Sequence, residues 1–343
     1  MKLPKKRKKK KTYAILGCVL GAGLVLVILI FAYGIYNKQK EKSEQRIASN
    51  TIQAGERTSN SIIYQGKEYN YNEHLSNFLF LGIDQQEKAN TETGKADAGQ
   101  ADSIFLVSWD RVEGRVTWIT IPRDTMTEIQ IFDQEGNEAG SAVNHLNLAY
   151  AFGDGARESC QLMEEAVSNL FYGLPIQGSC AINLDGIPVL AEAVGGITVT
   201  IPDNGMQSVN PQWVKGAEVT LDKENTEMFV RYRDTSKSQS ALERMERQKI
   251  FLVVLGEKMQ KTYKRDSGII SELYGAMNDY MVTDIGNDQF VKLMEVLGEN
   301  GVAREWTLPG QGKEGEDFDE YYPDDDALYE KILETFYIEE EPK

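Results

Sequence analysis

The longest feature of the hydropathy pattern comes first. Tyr13–Tyr36 (YAILGCVLGAGLVLVILIFAYGIY) runs 24 residues without a charge. As a helix rising 1.5 Å per residue it reaches about 36 Å, enough to cross a bilayer core with some tilt. A buried soluble helix is rarely this long or apolar on every face, and no convincing small-residue cleavage site marks a signal peptide. The basic block before it, MKLPKKRKKKK, sets the N-terminus in the cytoplasm and the residues after about 37 outside. The pattern therefore predicts a single-pass cell-membrane protein: a cytoplasmic basic arm (1–12), a transmembrane helix (13–36) and an extracytoplasmic stem (37–76).

Beyond the anchor the period changes. Ile62–Tyr71 alternates around Gln65-Gly66, which predicts a hairpin in the stem. Asn77–Asp84 (NFLFLGID) is continuously apolar, as a central strand buried on both faces would be. The polar stretch Gln85–Gln100 is long for a connection and suits a functional lid. Ser103–Asp110 and Arg115–Ile121 read as two strands joined by a turn at Val112–Gly114. Helices are expected at His145–Phe152, Glu158–Phe171, Ile187–Val194, Glu224–Val230 and Ser240–Tyr263, with strands at Cys180–Leu184 and Ile197–Ile201. The acidic C-terminus ends in Asp324–Tyr337, whose Leu328, Ile332, Leu333 and Phe336 share one helical face. Interleaved strands and helices predict an α/β fold: a layered α-β-α domain whose central mixed sheet is flanked by helices, preceded by the transmembrane helix. The main domain would run over 77–265, with 266–343 as a helical, acidic extension packed on it.

Composition narrows the chemistry. The chain has 343 residues, 37 basic and 53 acidic, and a net charge of −16. Such acidity argues against a nucleic-acid partner, because phosphate backbones need clustered Lys and Arg. Only His74 and His145, and Cys18, Cys160 and Cys180, are present, which excludes zinc fingers and disulfide-dense scaffolds. Cys160 and Cys180 would either pair once or stay as buried thiols.

Four local signals carry the remaining chemistry. Asp84 ends one core strand and Asp102 begins the next, so both carboxylates can share a sheet edge, a natural Mg²⁺ site. Alone, each is an ordinary turn or cap residue. Pro122-Arg123-Asp124 follows a strand, so Arg123 also emerges at a sheet end; otherwise Asp124 caps a turn and Arg123 makes a surface pair. In Phe229–Asp234 (FVRYRD), an extended backbone would put Arg231 and Arg233 on one face. Arg244, Arg247 and Gln248 stand at i, i+3 and i+4, stacked on one helix face, where a solvated Glu/Arg ladder is the plain alternative. Together, two acids and a set of arginines on an acidic external domain describe a pyrophosphate site, where catalysis is positioning and charge neutralisation.

The succession NFLFLGID, ADSIFLVS, ITIPRDT, HLNLAYAFG, INLDGI, AVGGI, FVRYR and RMERQ, from about Asn77 to Tyr263, closely resembles the LytR–CpsA–Psr family. The resemblance implies a membrane-anchored phosphotransferase that moves a glycopolymer (teichoic acid, capsule or secondary wall polysaccharide) from an undecaprenyl-pyrophosphate carrier to peptidoglycan. It implies Asp84 and Asp102 as Mg²⁺-site and catalytic acids, with Arg123 and Asp124 beside them in catalysis. Arg123, Arg231, Arg233, Arg244 and Gln248 would bind pyrophosphate, with Arg247 as their neighbour. The family's fold would hold the polyprenyl tail in an apolar tunnel between sheet and helices. Two positions depart from the usual pattern: Gln100 stands where many members have Arg, and His145 where many have Lys. The alternatives are a non-catalytic binding or regulatory protein, as the family's label of transcriptional attenuator suggests, and a polyprenyl-pyrophosphate hydrolase.

Overall fold

The computed structural model describes residues 61–340, apart from Glu87, Thr235, Ser238, Gln239, Glu316 and Asp317. The expected basic arm, the transmembrane helix at 13–36 and most of the stem lie outside the described residues. Among the described residues, no helix is long and apolar enough to cross a membrane.

Gln65 and Gly66 both hold positive φ (49° and 78°) and turn β1 (Ser61–Tyr64) into β2 (Lys67–Tyr71). That backbone is the mirror-image turn whose twist matches a hairpin, and glycine accepts it without strain. The apolar runs become β3 (Leu75–Ile83), β4 (Ala101–Asp110) and β5 (Arg115–Ile121). A second hairpin follows, β6 (Met126–Phe132) and β7 (Glu138–His145). The helix expected from His145 is confined to α1 (Leu148–Ala151), because His145 ends the β7 ladder opposite Met126. Next come α2 (Arg157–Leu170), β8 (Gly178–Asn183), α3 (Gly186–Ala193), β9 (Ile197–Thr200) and β10 (Glu218–Leu221). Then α4 (Thr226–Arg231) and α5 (Ser240–Tyr263) lead to α6 (Ile269–Met277), β11 (Met281–Thr283) and α7 (Asn287–Asn300). The chain finishes with β12 (Arg304–Thr307), β13 (Gly310–Glu314), β14 (Asp319–Pro323), α8 (Asp325–Phe336) and β15 (Tyr337–Glu339).

The central sheet is mixed, in the order β11-β8-β3-β4-β5-β12. β3, β4 and β5 run antiparallel to their neighbours in that trio, whereas β8 lies parallel to β3 and β12 parallel to β5. Residues 266–343, expected as a packed extension, supply the two edge strands β11 and β12. Alternation along β3 explains its continuous apolarity. Leu79 and Leu81 pack with Met163 and Val167 of α2 and Leu328 and Phe336 of α8. Phe78 faces the other way, into a cluster with Met277 of α6 and Leu293 of α7. The same alternation separates the two described thiols. Cys160 belongs to the α2 side, Cys180 of β8 to the α6–α7 side, and both are free and buried. Burial pushes each thiol up to about 12. A third cluster joins α3, β9, α4 and α5 around Phe229, Trp213 and Phe251.

Candidate functional site

The end of β3 and the start of β4 lie side by side, and their register breaks where the candidate acids stand. Gly82 pairs with Ser103 but Ile83 pairs with Ala101, leaving Asp102 as the extra residue of a bulge. A bulge re-aims the side chain it carries. Asp84 is fixed one residue beyond β3, where its Oδ1 accepts the Gln100 N–H at 2.5 Å. Gly99 makes this closure feasible: its φ is +86°, and a Cβ there would lie 3.0 Å from Asp84 Oδ1.

Pro122 ends β5, and Thr125 turns back onto it, its N–H and its hydroxyl both donating to the Pro122 carbonyl, at 3.1 and 2.6 Å. This turn aims Arg123 at Asp102, with which it pairs, while Arg123 Nε donates to Asp124 Oδ1 at 3.0 Å. From the opposite side, Arg244 Nη1 of α5 donates to Asp102 Oδ2 at 2.7 Å. Asp102 is thus held between two guanidiniums. Arg244 is 7% exposed, yet its Nε and Nη2 find no hydrogen-bond partner among the described residues. Burial lowers its pKa from the usual arginine value, and the nearby Arg123 and Arg233 guanidiniums lower it further. One helical turn on, Gln248 donates from Nε2 to the Val230 carbonyl at 3.3 Å, while its buried Oε1 is unpartnered. Unpaired buried donors are costly, so the Nε and Nη2 of Arg244 are arranged for an anion that accepts from them.

The FVRYR segment differs from the extended reading. Phe229, Val230 and Arg231 close α4, so Arg231 and Arg233 do not alternate on a strand. Arg231 is half exposed and donates to Glu227 one turn back at 2.5 Å, as helical spacing permits. Arg233, beyond the helix, donates to Ser240 Oγ at 2.9 Å and approaches Asp319 Oδ2 at 3.5 Å. Arg247 points away from the cluster. It is 1% exposed, and its donors serve the Phe229 carbonyl (3.1 Å), Asp203 Oδ2 (3.3 Å) and the Tyr232 carbonyl. Sharing a helix face thus did not bring Arg247 to the site. Its turn-holding role depends on the α4 carbonyls, which no spacing rule reveals.

The structure therefore brings together Asp102, Arg123, Asp124, Arg244 and Gln248, with Asp84 at the adjoining strand end. Asp319, Glu320 and Tyr321 of β14 line the same cleft. Sequence reasoning missed them, their only signal being an acidic stretch easily read as surface. At the two unusual positions, Gln100 Oε1 accepts from Asn147 Nδ2 at 2.9 Å, and His145 Nε2 donates to the Asp319 carbonyl at 3.0 Å.

Behind the charged residues the chain is hollow. A neck of about 120 Å³ is lined by Asp102, Arg231, Arg244 and Gln248 on one side and by Phe80, Trp118, Ile182, Leu190 and Leu252 on the other. Those five apolar residues also line a cavity of about 600 Å³ between the sheet and α5, α6 and α7. This volume lies within the range of sites that bury a sizeable ligand. A charged mouth on an apolar chamber suits an amphiphile with an anionic head.

A profile described as the LytR_cpsA_psr family matches residues 30–335. The chain belongs to this family. Among relatives, it is 27% identical over 190 residues to a protein of Halalkalibacterium halodurans named polyisoprenyl-teichoic acid–peptidoglycan teichoic acid transferase TagU, covering 55% of this chain and 54% of that one. A protein of the same name from Enterococcus faecalis is 26% identical over 312 residues, covering 89% of each. Several of these alignments span only about half the length of the curated relatives. The crystal structure of B. subtilis TagV shares the fold, with a TM-score of 0.57 at 21% identity over 77% of this chain and 96% of that one. As a LytR_cpsA_psr member the chain thus has a mixed α/β fold seen in a solved structure.

Proposed function

We propose that this protein transfers a phosphate-linked glycopolymer from an undecaprenyl-pyrophosphate carrier to peptidoglycan at the outer face of the cell membrane, anchored there by residues 13–36. The observation that carries this reading is the junction at Arg244: a buried guanidinium with two unpartnered N–H donors, where a charged cleft meets an apolar chamber. A polyprenyl pyrophosphate has both parts. The curated relatives named as teichoic acid transferases support the same substrate class.

The residues divide the work. Arg244 and Gln248 receive the pyrophosphate where it enters the neck, and Arg123 neutralises charge as it develops. Arg231, at the neck, and Arg233, beside Asp319, extend the positive surface around the pyrophosphate. Leu252, Trp118 and Phe80 take the first isoprene units and exclude water. The acceptor hydroxyl oxygen bonds to the sugar-proximal phosphorus, and the bond from that phosphorus to the bridging oxygen breaks. Polyprenyl monophosphate leaves with the bridging oxygen. The hydroxyl proton passes to a carboxylate of the cleft, Asp102 or Asp124.

The donor set fits Mg²⁺, which takes one or two carboxylates and completes its shell with water and phosphate oxygens. Asp84 and Asp102 are hard oxygen donors at one sheet edge, on the neighbouring ends of β3 and β4. When bound by Asp84 and Asp102, the ion supplies charge neutralisation at the pyrophosphate oxygens.

The test is reconstitution of the full chain in detergent with a labelled polyprenyl-pyrophosphate glycan, Mg²⁺ and peptidoglycan. Label should become bound to peptidoglycan, and D84N and D102N should abolish this. Release of label without acceptor linkage would establish hydrolysis instead.

A further inference from the structure

The C-terminal strand β14 is built into the phosphate cleft, and it brings a carboxylate there. The Tyr321 N–H donates to the Asp124 carbonyl at 2.8 Å, and Thr125 and Tyr321 form a parallel bridge. The Tyr321 hydroxyl donates to the Leu308 carbonyl at 2.7 Å. His145 Nε2 holds the Asp319 carbonyl at 3.0 Å. These bonds fix the backbone at Asp319 and just after it, independently of its carboxylate. The side chain, 10% exposed, is thereby set facing Arg233, 3.5 Å away.

A carboxylate in an anion-binding cleft opposes the cleft's own ligand through like-charge repulsion. It also stands in for that ligand in its absence, since it faces Arg233 from the wall of the cleft that Asp102, Arg123 and Asp124 also line. The contact is longer than the 2.7–2.9 Å of a tight charge-assisted bond, so a phosphate with better-placed oxygens can displace it. We infer that Asp319 is an internal counter-anion of the phosphate site, holding Arg233 while no donor is bound and yielding it to the pyrophosphate. It restrains donor affinity and returns to Arg233 as the product phosphate leaves, so that the site does not stay blocked by its own product.

This inference rests on the pyrophosphate reading of the site. The test is calorimetric titration of the full chain in detergent with inorganic pyrophosphate at fixed ionic strength, beside thermal melts. Asp319→Asn keeps the side-chain shape and the carbonyl held by His145. It should bind pyrophosphate at least about fivefold more tightly than the unmodified chain, a modest coupling between neighbouring charges, with an unchanged melting temperature. Asp319→Glu should restore the original affinity. On an Arg233→Gln background, Asp319→Asn should lose most of its effect, because the carboxylate acts through that guanidinium. Equal or weaker binding by Asp319→Asn overturns the inference while leaving the site intact. Absence of pyrophosphate binding by the unmodified chain overturns the inference and the functional reading together.

Discussion

Replacing Arg244 by glutamine removes the guanidinium that links Asp102 to the neck of the chamber. In the donor-free protein the loss is small, because Arg123 still pairs with Asp102 and two unpartnered buried donors disappear with the guanidinium. In the donor complex the cost is large. Nε and Nη2 are positioned for two charge-assisted hydrogen bonds, worth roughly 1.5–3 kcal/mol each. Allowing that glutamine replaces part of one, about 3 kcal/mol should be lost, close to a hundredfold in affinity. Arg244→Lys keeps the charge but not the fork and should fall between the two. Titration with inorganic pyrophosphate at low ionic strength measures the effect, and kcat/KM for glycan transfer should drop at least as far. Binding by the glutamine variant within about threefold of the unmodified chain, at equal melting temperature, would refute the assignment of Arg244 as the central phosphate ligand.

Three further outcomes separate the parts of the account. Leu252→Trp fills the neck, so it should suppress transfer from polyprenyl donors while leaving inorganic pyrophosphate binding within a few-fold, measured by the same titration. Arg247→Met should lower the melting temperature rather than change pyrophosphate affinity, since it strips the Phe229 and Tyr232 carbonyls of their donor, at about 1–3 kcal/mol for each buried acceptor left unpaired. Cys160 and Cys180, whose thiols burial raises to about 12, remain protonated at pH 8. Their thiolate fraction, and so their alkylation, rises only as pH climbs toward that value. In a Cys18→Ser background, native protein should resist maleimide at pH 8 and denatured protein should take up two equivalents.

Much of the fold can be read locally because its signals are local. Asn77–Asp84 is apolar at every position since both sheet faces are covered, and Gln65-Gly66 makes a turn that depends on two residues alone. The cleft is a different matter. Arg123 and Arg244 were visible as candidates, but their convergence on Asp102 requires a β-bulge and a helix 142 residues away in the chain. Arg247 shares the period of Arg244 yet serves backbone carbonyls, because the C-terminal end of α4 packs beside α5 and presents them to it. Asp319 could not be seen at all, since an acidic strand becomes part of the cleft only when β14 hydrogen-bonds to Asp124. The chamber is likewise a property of packing: its apolar lining residues look the same in a sequence whether the space between them is filled or open.

The central claim is that the bond broken lies between the two phosphates, and the fate of those phosphates tests it most directly. In a reconstituted reaction, polyprenyl products and peptidoglycan-linked glycan are counted together by mass spectrometry. The account predicts one polyprenyl monophosphate for each glycan linked, with the second phosphate retained in the glycan–peptidoglycan bond. Polyprenyl pyrophosphate released intact, with a glycan joined to peptidoglycan without phosphate, would contradict it.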